Sequence, residues 1–494
     1  MTKSFLRIAK PGSGKTTRLI QEAQEVLSRG GTVFLTTFGK KNMEHMAQKM
    51  GWLSKEKQDH LKIQTLHSAA WHHLKPKRQA NLTKYLFEHD TEFGLRFGSQ
   101  LRRLAGAWSE DGSDPYTVDG ETESDICYME VQRLRSEGKT WRDTALLSPL
   151  ADKVKQIFEI LEDGFRRGGW DYTHLLEHAV RTGLTFRADY VGVDEINDLT
   201  PLQLAICRRA EGEKVVFTGD PQQAIFSFSG VHPEALYTLP GEVEVCEQSY
   251  RLPSVIAAQA ETIIGRSTDK VLGHIKPVHE GGEVIRDGSF ANVVSTILTE
   301  GRTLVLARTN AILERARHLA LQYGANVTLT DEESLQAQLG QLIRTPTPNF
   351  NFSDIPCLLG EWLPAKEYFQ AGGKKRLRER STTDVNGWMS WDDLFRNYGT
   401  TALRELIEGR KAWYSGERSF DPRKPVATFQ TIHSAKGLEE DTVVVLRDMG
   451  ERVRRGLHTD EENEIRLAYV AATRAKRRLV ITDIGGRVMN PYLA

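Results

Sequence analysis

The segment "IAKPGSGKTT", which begins at Ile8, constrains the fold of this chain more than any other stretch. The apolar run "FLRIA" leads into it, and Leu19, Ile20, Ala23, Val26 and Leu27 follow at offsets 0, 1, 4, 7 and 8. Those offsets put the apolar side chains on one face of a helix, so the glycine-rich turn joins a strand to a helix N-terminus. Backbone N–H groups at Gly12, Ser13 and Gly14 can then approach phosphate oxygens, with the positive end of the helix dipole behind them. In such a loop Lys15 pairs with the β and γ phosphates, Thr16 holds magnesium and Thr17 extends the nucleotide-facing set. The common form of the motif begins with glycine, and here that place is taken by Ala9.

Further β-rich runs alternate with helical spacing: "TVFLTTF" at 32–38, "YVGVDE" at 190–195, "KVVFTGD" at 214–220 and "EVEVCE" at 242–247. A second series follows at 303–308, 325–330, 426–433, 441–447 and 478–483. Strands alternating with helices predict parallel sheets covered on both faces, hence an α/β fold with two such domains. Two charged, tryptophan-bearing stretches, roughly 73–185 and 331–422, interrupt the pattern and read as mostly helical insertions, one in each domain. With 494 residues the chain has room for several cores.

Composition removes some function classes. Lys plus Arg and Asp plus Glu are 66 each, so any nucleic-acid path has to be local rather than an all-over basic surface. Cys127, Cys207, Cys246 and Cys357 have neither zinc spacing nor the density of a disulfide framework, which fits a reducing cytoplasm. No apolar run is long enough to span a bilayer, and the first residues do not read as a signal peptide. No fixed-period repeat is present, which removes solenoid folds.

Two further segments extend the nucleotide site. In "VGVDEIND", Asp194 stands at a strand end, where it can bind magnesium through water, and Glu195 can orient or deprotonate an attacking water. An isolated acidic tetrad of this kind is more often a helix cap; its pairing with the upstream loop favours the catalytic reading. In "FTGDPQQAIFSFSG", Asp220 ends a strand in a turn and Gln223 offers an amide able to sense a γ-phosphate. Phe226 and Phe228 are two residues apart, on one side if extended. Core packing and an exposed stacking surface are equally open for this pair.

These stretches, with "TTFGKKNMEHMAQKM", "IQTLHSAA", "EQSYRLP", "LARTNAILERA", "TIHSAKGLEEDTVVV" and "EIRLAYVAATRAKRRL", resemble in order and spacing the motifs of the UvrD/PcrA/Rep family of superfamily 1 helicases. The resemblance implies two RecA-like P-loop NTPase domains binding ATP and Mg2+. Domain 1A would comprise 1–72 and 186–250, domain 2A 251–330 and 423–494, with insertions 1B at 73–185 and 2B at 331–422. Carried over by motif position, Tyr250 would stack on adenine and Glu439 would contact the ribose. Arg251 and Arg474 would reach the γ-phosphate, so that hydrolysis follows domain closure. Phe38, Phe226 and Phe228 would stack on DNA bases, with His67, Asn310 and His433 near the strand; a structural role for His433 is equally open. Stacking is indifferent to sequence, as a motor requires. The basic run "KKRLRER", Lys374 to Arg380, is either a duplex contact or a solvated helix face.

The family further implies an ATP-dependent motor that moves 3′ to 5′ on single-stranded DNA and unwinds duplex DNA. Replication, repair or recombination proteins would be its partners, and it would act as a monomer in the cytoplasm, at the nucleoid or, for a viral chain, in the host. A translocase that strips proteins without unwinding is the near alternative, and a P-loop phosphotransferase the distant one. Departures from the pattern bear on these expectations. Only eight residues precede Ala9, which leaves base selectivity open, and Asn197 stands where the family has Gln, an expected weakening of the link between the ATP and DNA sites. Ser229 replaces an Arg, and the short stretch after Arg474 predicts a reduced strand-separating hairpin, making translocation a safer expectation than unwinding.

Overall fold

The structure is a computed structural model that describes residues 2–51, 59–76, 123–166, 170–269, 272–298, 301–323, 325, 327–329, 349–351, 388–390, 427–450, 453–454, 460–486 and 488–493. From the N-terminus the elements are β1 (Lys3–Ala9), α1 (Lys15–Ser28), β2 (Val33–Thr37), α2 (Lys40–Met50), β3 (Leu61–Thr65), α3 (Leu66–Leu74), α4 (Glu123–Ser136), α5 (Leu150–Arg166), α6 (Tyr172–Arg181), β4 (Tyr190–Val193), α7 (Pro201–Cys207), β5 (Lys214–Gly219) and β6 (Glu242–Cys246). Their strands form one sheet, in the order β3-β2-β4-β5-β1-β6, and every neighbouring pair is parallel. From β1 the chain crosses to β2 on one side, and from β5 it crosses over β1 to β6 on the other. The loop after β1 therefore opens at the place in the sheet where a crevice forms between diverging connections.

Strand alternation decides what covers each face. Val33 and Leu35 of β2, with Tyr190 and Val216, pack under Leu19, Ile20, Ala23 and Leu27 of α1. Leu6 and Ile8 of β1, Phe34, Val191, Val193 and Phe217 face the other way, against Leu66 and Ala69 of α3 and Leu175 and Leu176 of α6. Burial on both faces is what a parallel sheet needs, and the apolar face expected for α1 is the one it buries. In 123–181 the expected helical character is present: α4 and α5 bury Cys127, Val131, Leu134, Val154, Ile157 and Leu161 against each other.

Beyond β6 come β7 (Gln248–Pro253), α8 (Ser254–Ile264), β8 (Lys276–His279), β9 (Glu283–Arg286), α9 (Phe290–Thr296), β10 (Thr303–Ala307), α10 (Asn310–Gln322), β11 (Val327–Leu329), β12 (Asn349–Asn351), β13 (Trp388–Ser390), β14 (Ala427–Thr431), β15 (Glu440–Leu446), α11 (Glu461–Ala472) and β16 (Ala475–Thr482). By backbone contacts the chain divides into two units. The first holds 1–286, 306–312 and 431–494; the second holds 287–305 and 313–430. Within the first unit, β15, β16 and β9 lie side by side in parallel, and β7 pairs with β8. Within the second, β11 runs parallel to β14, and β12 and β13 form an antiparallel pair. That strand pair is the described part of the stretch expected to be a helical insertion at 331–422; its remaining residues, the run Lys374 to Arg380 included, lie outside the described residues. Among the described residues no helix is long and apolar enough to cross a membrane.

One ion-pair cluster ties α1 to the sheet. Arg7 of β1 is buried and donates to Glu22 of α1 at 2.7 Å and to Glu244 of β6 at 2.6 Å; Glu22 also accepts from Tyr190 at 2.9 Å. Removing one partner of a buried pair leaves the other charge uncompensated. Arg7→Leu is expected to lower stability by about 3 kcal/mol, read as a lower urea midpoint; an unchanged midpoint would mean that packing alone holds α1 in place.

Candidate functional site

The C-terminal ends of β1, β4 and β5 bring three loops together. After β1, Gly12 and Gly14 take φ of +74° and +76°, a conformation that side chains rarely adopt. A Cβ on Gly12 would stand 2.5 Å from the Cβ of Arg251, whereas around Gly14 a Cβ would meet nothing within 4 Å. The first glycine lets β7 approach, where the Tyr250 N–H donates to the Gly12 carbonyl at 2.9 Å and Ser249 Oγ to the Pro11 carbonyl at 2.7 Å. The second leaves an open cradle at the head of α1.

After β4, Glu195 adopts φ of +52°, which is strained for a residue with a side chain. That turn aims its carboxylate at Lys15, whose Nζ lies 3.5 Å away, while the Thr16 hydroxyl donates to Asp194 at 2.5 Å. Burial, then the neighbouring Glu195 charge, pushes Asp194 up to about 6. Burial acts on Glu195 in the same direction, but Lys15, Lys436 and Arg474 outweigh it and hold this carboxyl below its ordinary value. Lys15 is likewise disfavoured by burial and held above its ordinary value by Glu195, Asp220 and Asp194.

After β5, Asp220 caps a tight turn over Pro221–Gln223, accepting from the Gln222 N–H at 3.1 Å, as the sequence predicts. Gln223 Nε2 donates to Asp220 at 2.9 Å, and Gln223 Oε1 accepts from Arg474 at 3.0 Å. Arg474 is 2 % exposed, so it is no surface arginine; burial, then Arg251, lowers it to about 10. It follows α11, whose last ten residues are all buried, the close packing that small residues there suggest. Arg251 pairs with Glu439, which Lys476 also holds at 2.9 Å. Tyr250 stands beside the phosphate loop with 58 % of its surface exposed, and Thr17 is exposed on the first turn of α1.

The aromatic residues form a second cluster. Phe226 lies 5.9 Å, ring centre to ring centre, from both Phe38 and Phe228, and His433 is 6.0 Å from Phe226 and 5.8 Å from Phe228. The segment is not extended: Ser227–Ser229 is a single turn of tight helix, so Phe226 and Phe228 meet edge to face at 83° instead of lining up on one side. Both phenylalanines are half-buried, which separates them from core aromatics. His67 packs edge-on against Tyr172 at 5.5 Å, and Asn310 is exposed at the start of α10.

The family models match the UvrD/REP helicase N-terminal domain over residues 1–243 and the UvrD-like helicase C-terminal domain over residues 390–485. The chain belongs to the UvrD/Rep helicase family. F-box DNA helicase protein 1 of Schizosaccharomyces pombe is 24% identical over 60% of this chain and 34% of its own length, so the chain spans about a third of that relative. DNA helicase II of Salmonella typhimurium is 23% identical, over 97% of this chain and 82% of its own length. Among solved structures, the PRRSV helicase aligns with 98% of this chain and 53% of its own at 10% identity and a TM-score of 0.36.

Lys436, Asp198 and Arg466 of this UvrD/Rep-family site escape a reading by sequence. Lys436, inside the quoted "TIHSAKGLEE", pairs with Asp198, donates to the Gln223 carbonyl at 2.5 Å and stands 5.4 Å over the Phe226 ring. Asp198 is pushed up to about 6 by burial and by Glu195, against the pull of Lys436. Arg466 donates to the Ala224 carbonyl at 2.7 Å. Asn197, shorter than the family's Gln, nonetheless joins two strand ends: its Oδ1 accepts from the Asp220 N–H at 2.9 Å, and its amide donates to Asp198 at 3.1 Å. The hydroxyl of Ser229 is turned back onto the Phe226 carbonyl at 2.8 Å.

Burial pushes the His67 imidazole down to about 4, so it is neutral at pH 7. The unfolded chain therefore takes up this proton first, near 6.5, and the stability that depends on a neutral His67 is lost progressively as pH falls from about 6.5 to 4. His67→Asn is expected to flatten this part of the pH profile: between pH 7 and 4.5 the variant's unfolding midpoint drops less than the wild type's. A constant offset between the two proteins would contradict a neutral imidazole.

Proposed function

We propose that the chain is an ATP-dependent DNA helicase or translocase that moves 3′ to 5′ along single-stranded DNA, with ATP hydrolysis coupled to closure of two RecA-like domains. In this reading 1–72 and 186–250 form domain 1A, 251–330 and 423–494 domain 2A, and 73–185 and 331–422 the insertions. The observation that carries it is one segment, Asp220–Phe228. At its start Gln223 is bonded to Arg474, and three residues later Phe226 enters the ring cluster with Phe38, Phe228 and His433. A change at the nucleotide end is thereby delivered to a sequence-tolerant stacking surface. The matched family models and the names of the relatives support the same activity.

The residues present fit the substrate and its cation. Ser13 Oγ and Glu195 Oε2 are buried without a hydrogen-bond partner among the described residues, the Gly14 cradle is open, and Thr16 and Asp194 share one position. Thr16 and Asp194 would hold Mg2+, which would neutralise charge on the β and γ phosphate oxygens. Lys15 would pair with those oxygens, and Gly12, Ser13 and Gly14 would offer their N–H groups. Glu195, kept ionised by three cations, would orient the attacking water and accept its proton as the bond between the γ-phosphorus and the bridging oxygen breaks. Gln223 would sense the γ-phosphate, and Arg251 and Arg474 would supply positive charge to it. Tyr250 would stack on the base; Glu439, held between Arg251 and Lys476, would meet the ribose.

ATPase rates with and without single-stranded DNA, run beside unwinding of duplexes with a 3′ or a 5′ tail, test this reading. DNA stimulation with opening of the 3′-tailed duplex is expected; stimulation without opening would mark a translocase, and DNA-independent turnover would return the phosphotransferase reading. Lys15→Ala is expected to abolish hydrolysis. Arg474→Ala should lower kcat on the order of 10³-fold while nucleotide still binds, and normal turnover in that variant would contradict its role.

A further inference from the structure

The phosphate loop carries a second lysine to which the hydrolysis scheme gives no task. Lys10 is 0 % exposed, and its Nζ donates to Gln222 Oε1 at 2.6 Å. Its main chain is fixed as well: the N–H donates to the Cys246 carbonyl at 2.9 Å, and the carbonyl accepts from the Ser13 N–H at 3.1 Å. Burial lowers the ammonium below the ordinary lysine value, although Asp220, Glu261 and Glu247 pull it back up. A methionine would fill the same space without that desolvation cost.

The partner is as closely held as the lysine. Gln222 is 4 % exposed, its N–H is taken by Asp220 at 3.1 Å, and its Nε2 has no hydrogen-bond partner among the described residues. The oxygen end of this amide is therefore fixed by Lys10. The next residue is Gln223, whose side chain bridges Asp220 and Arg474. Two side chains, 212 positions apart in sequence, thus join the phosphate loop to the turn that bears Gln223.

We propose that Lys10 is a positioning residue that acts through Gln222, holding the turn at Pro221–Gln223 in register with the phosphate loop so that Gln223 and Lys15 address the same γ-phosphate. This rests on the ATP-hydrolysis reading above. Lys10 touches neither nucleotide nor attacking water; its effect is on where Gln223 stands, and it falls on turnover more than on binding.

The test is a mutant cycle on the full chain, read as kcat and KM for ATP at saturating single-stranded DNA, with a thermal melt of each variant. Lys10→Met should lower kcat about 10- to 100-fold and leave KM within about twofold. Gln222→Leu should cause a similar loss, and the double variant should be no worse than either single one, since both remove the same contact. Lys10→Gln, which keeps a donor for Gln222, should recover part of the rate. Variants that melt earlier but turn over at the wild-type rate, or losses that simply add, would overturn the assignment. If Lys10→Met does not fold, Gln222→Leu and Lys10→Gln decide in the same way. A wild type with no ATPase at all would overturn the hydrolysis reading and this proposal with it, an outcome distinct from equal rates in wild type and variant.

Discussion

Three consecutive residues, Gln222–Ala224, are gripped from several sides by cations. Lys10 holds the Gln222 side chain at 2.6 Å, Arg474 the Gln223 side chain at 3.0 Å, Lys436 the Gln223 carbonyl at 2.5 Å and Arg466 the Ala224 carbonyl at 2.7 Å. Hydrogen bonds with a charged partner are stronger than neutral ones, and all four donors belong to residues that are distant in sequence. The turn cannot shift without loosening at least one of them. The same turn leads into Phe226, which contacts Phe38, Phe228 and His433.

The carboxylates around this turn explain why so many cations can be buried together. Asp194, Glu195, Asp198 and Asp220 lie at the ends of two adjacent strands, and Lys15, Lys436 and Arg474 are directed at Glu195 among them. Each sign stabilises the other where neither would be tolerated alone. The result is graded: Asp194 and Asp198 are pushed up to about 6, whereas Glu195, with three cations directed at it, stays below its ordinary value.

Local signals made much of this legible from sequence. The phosphate loop needs glycines with positive φ at Gly12 and Gly14, and α1 buries a face whose spacing can be counted. Parallel strands covered on both faces appear as continuous apolar runs, and β1, β2, β4, β5 and β15 carry that pattern in the sequence. By contrast β7, β8 and β9 are short and partly exposed, with too few apolar residues to show a period. The functions of Lys10, Lys436 and Arg466 depend on partners more than 200 residues away, which no local pattern encodes. The sequence shows Phe226 and Phe228 as a pair but not their geometry, because a spacing of two means one side only in an extended chain and this segment turns.

The central claim is that the nucleotide turn and the aromatic cluster form one device. The most direct measurement is the concentration of single-stranded DNA that gives half-maximal stimulation of ATP hydrolysis, compared between wild type and Phe226→Ala. Loss of a stacking ring contributing about 1–3 kcal/mol predicts a half-saturating concentration roughly 5- to 150-fold higher. An unchanged half-saturating concentration would contradict the account, because DNA would then be acting on hydrolysis without passing through the ring that the turn carries.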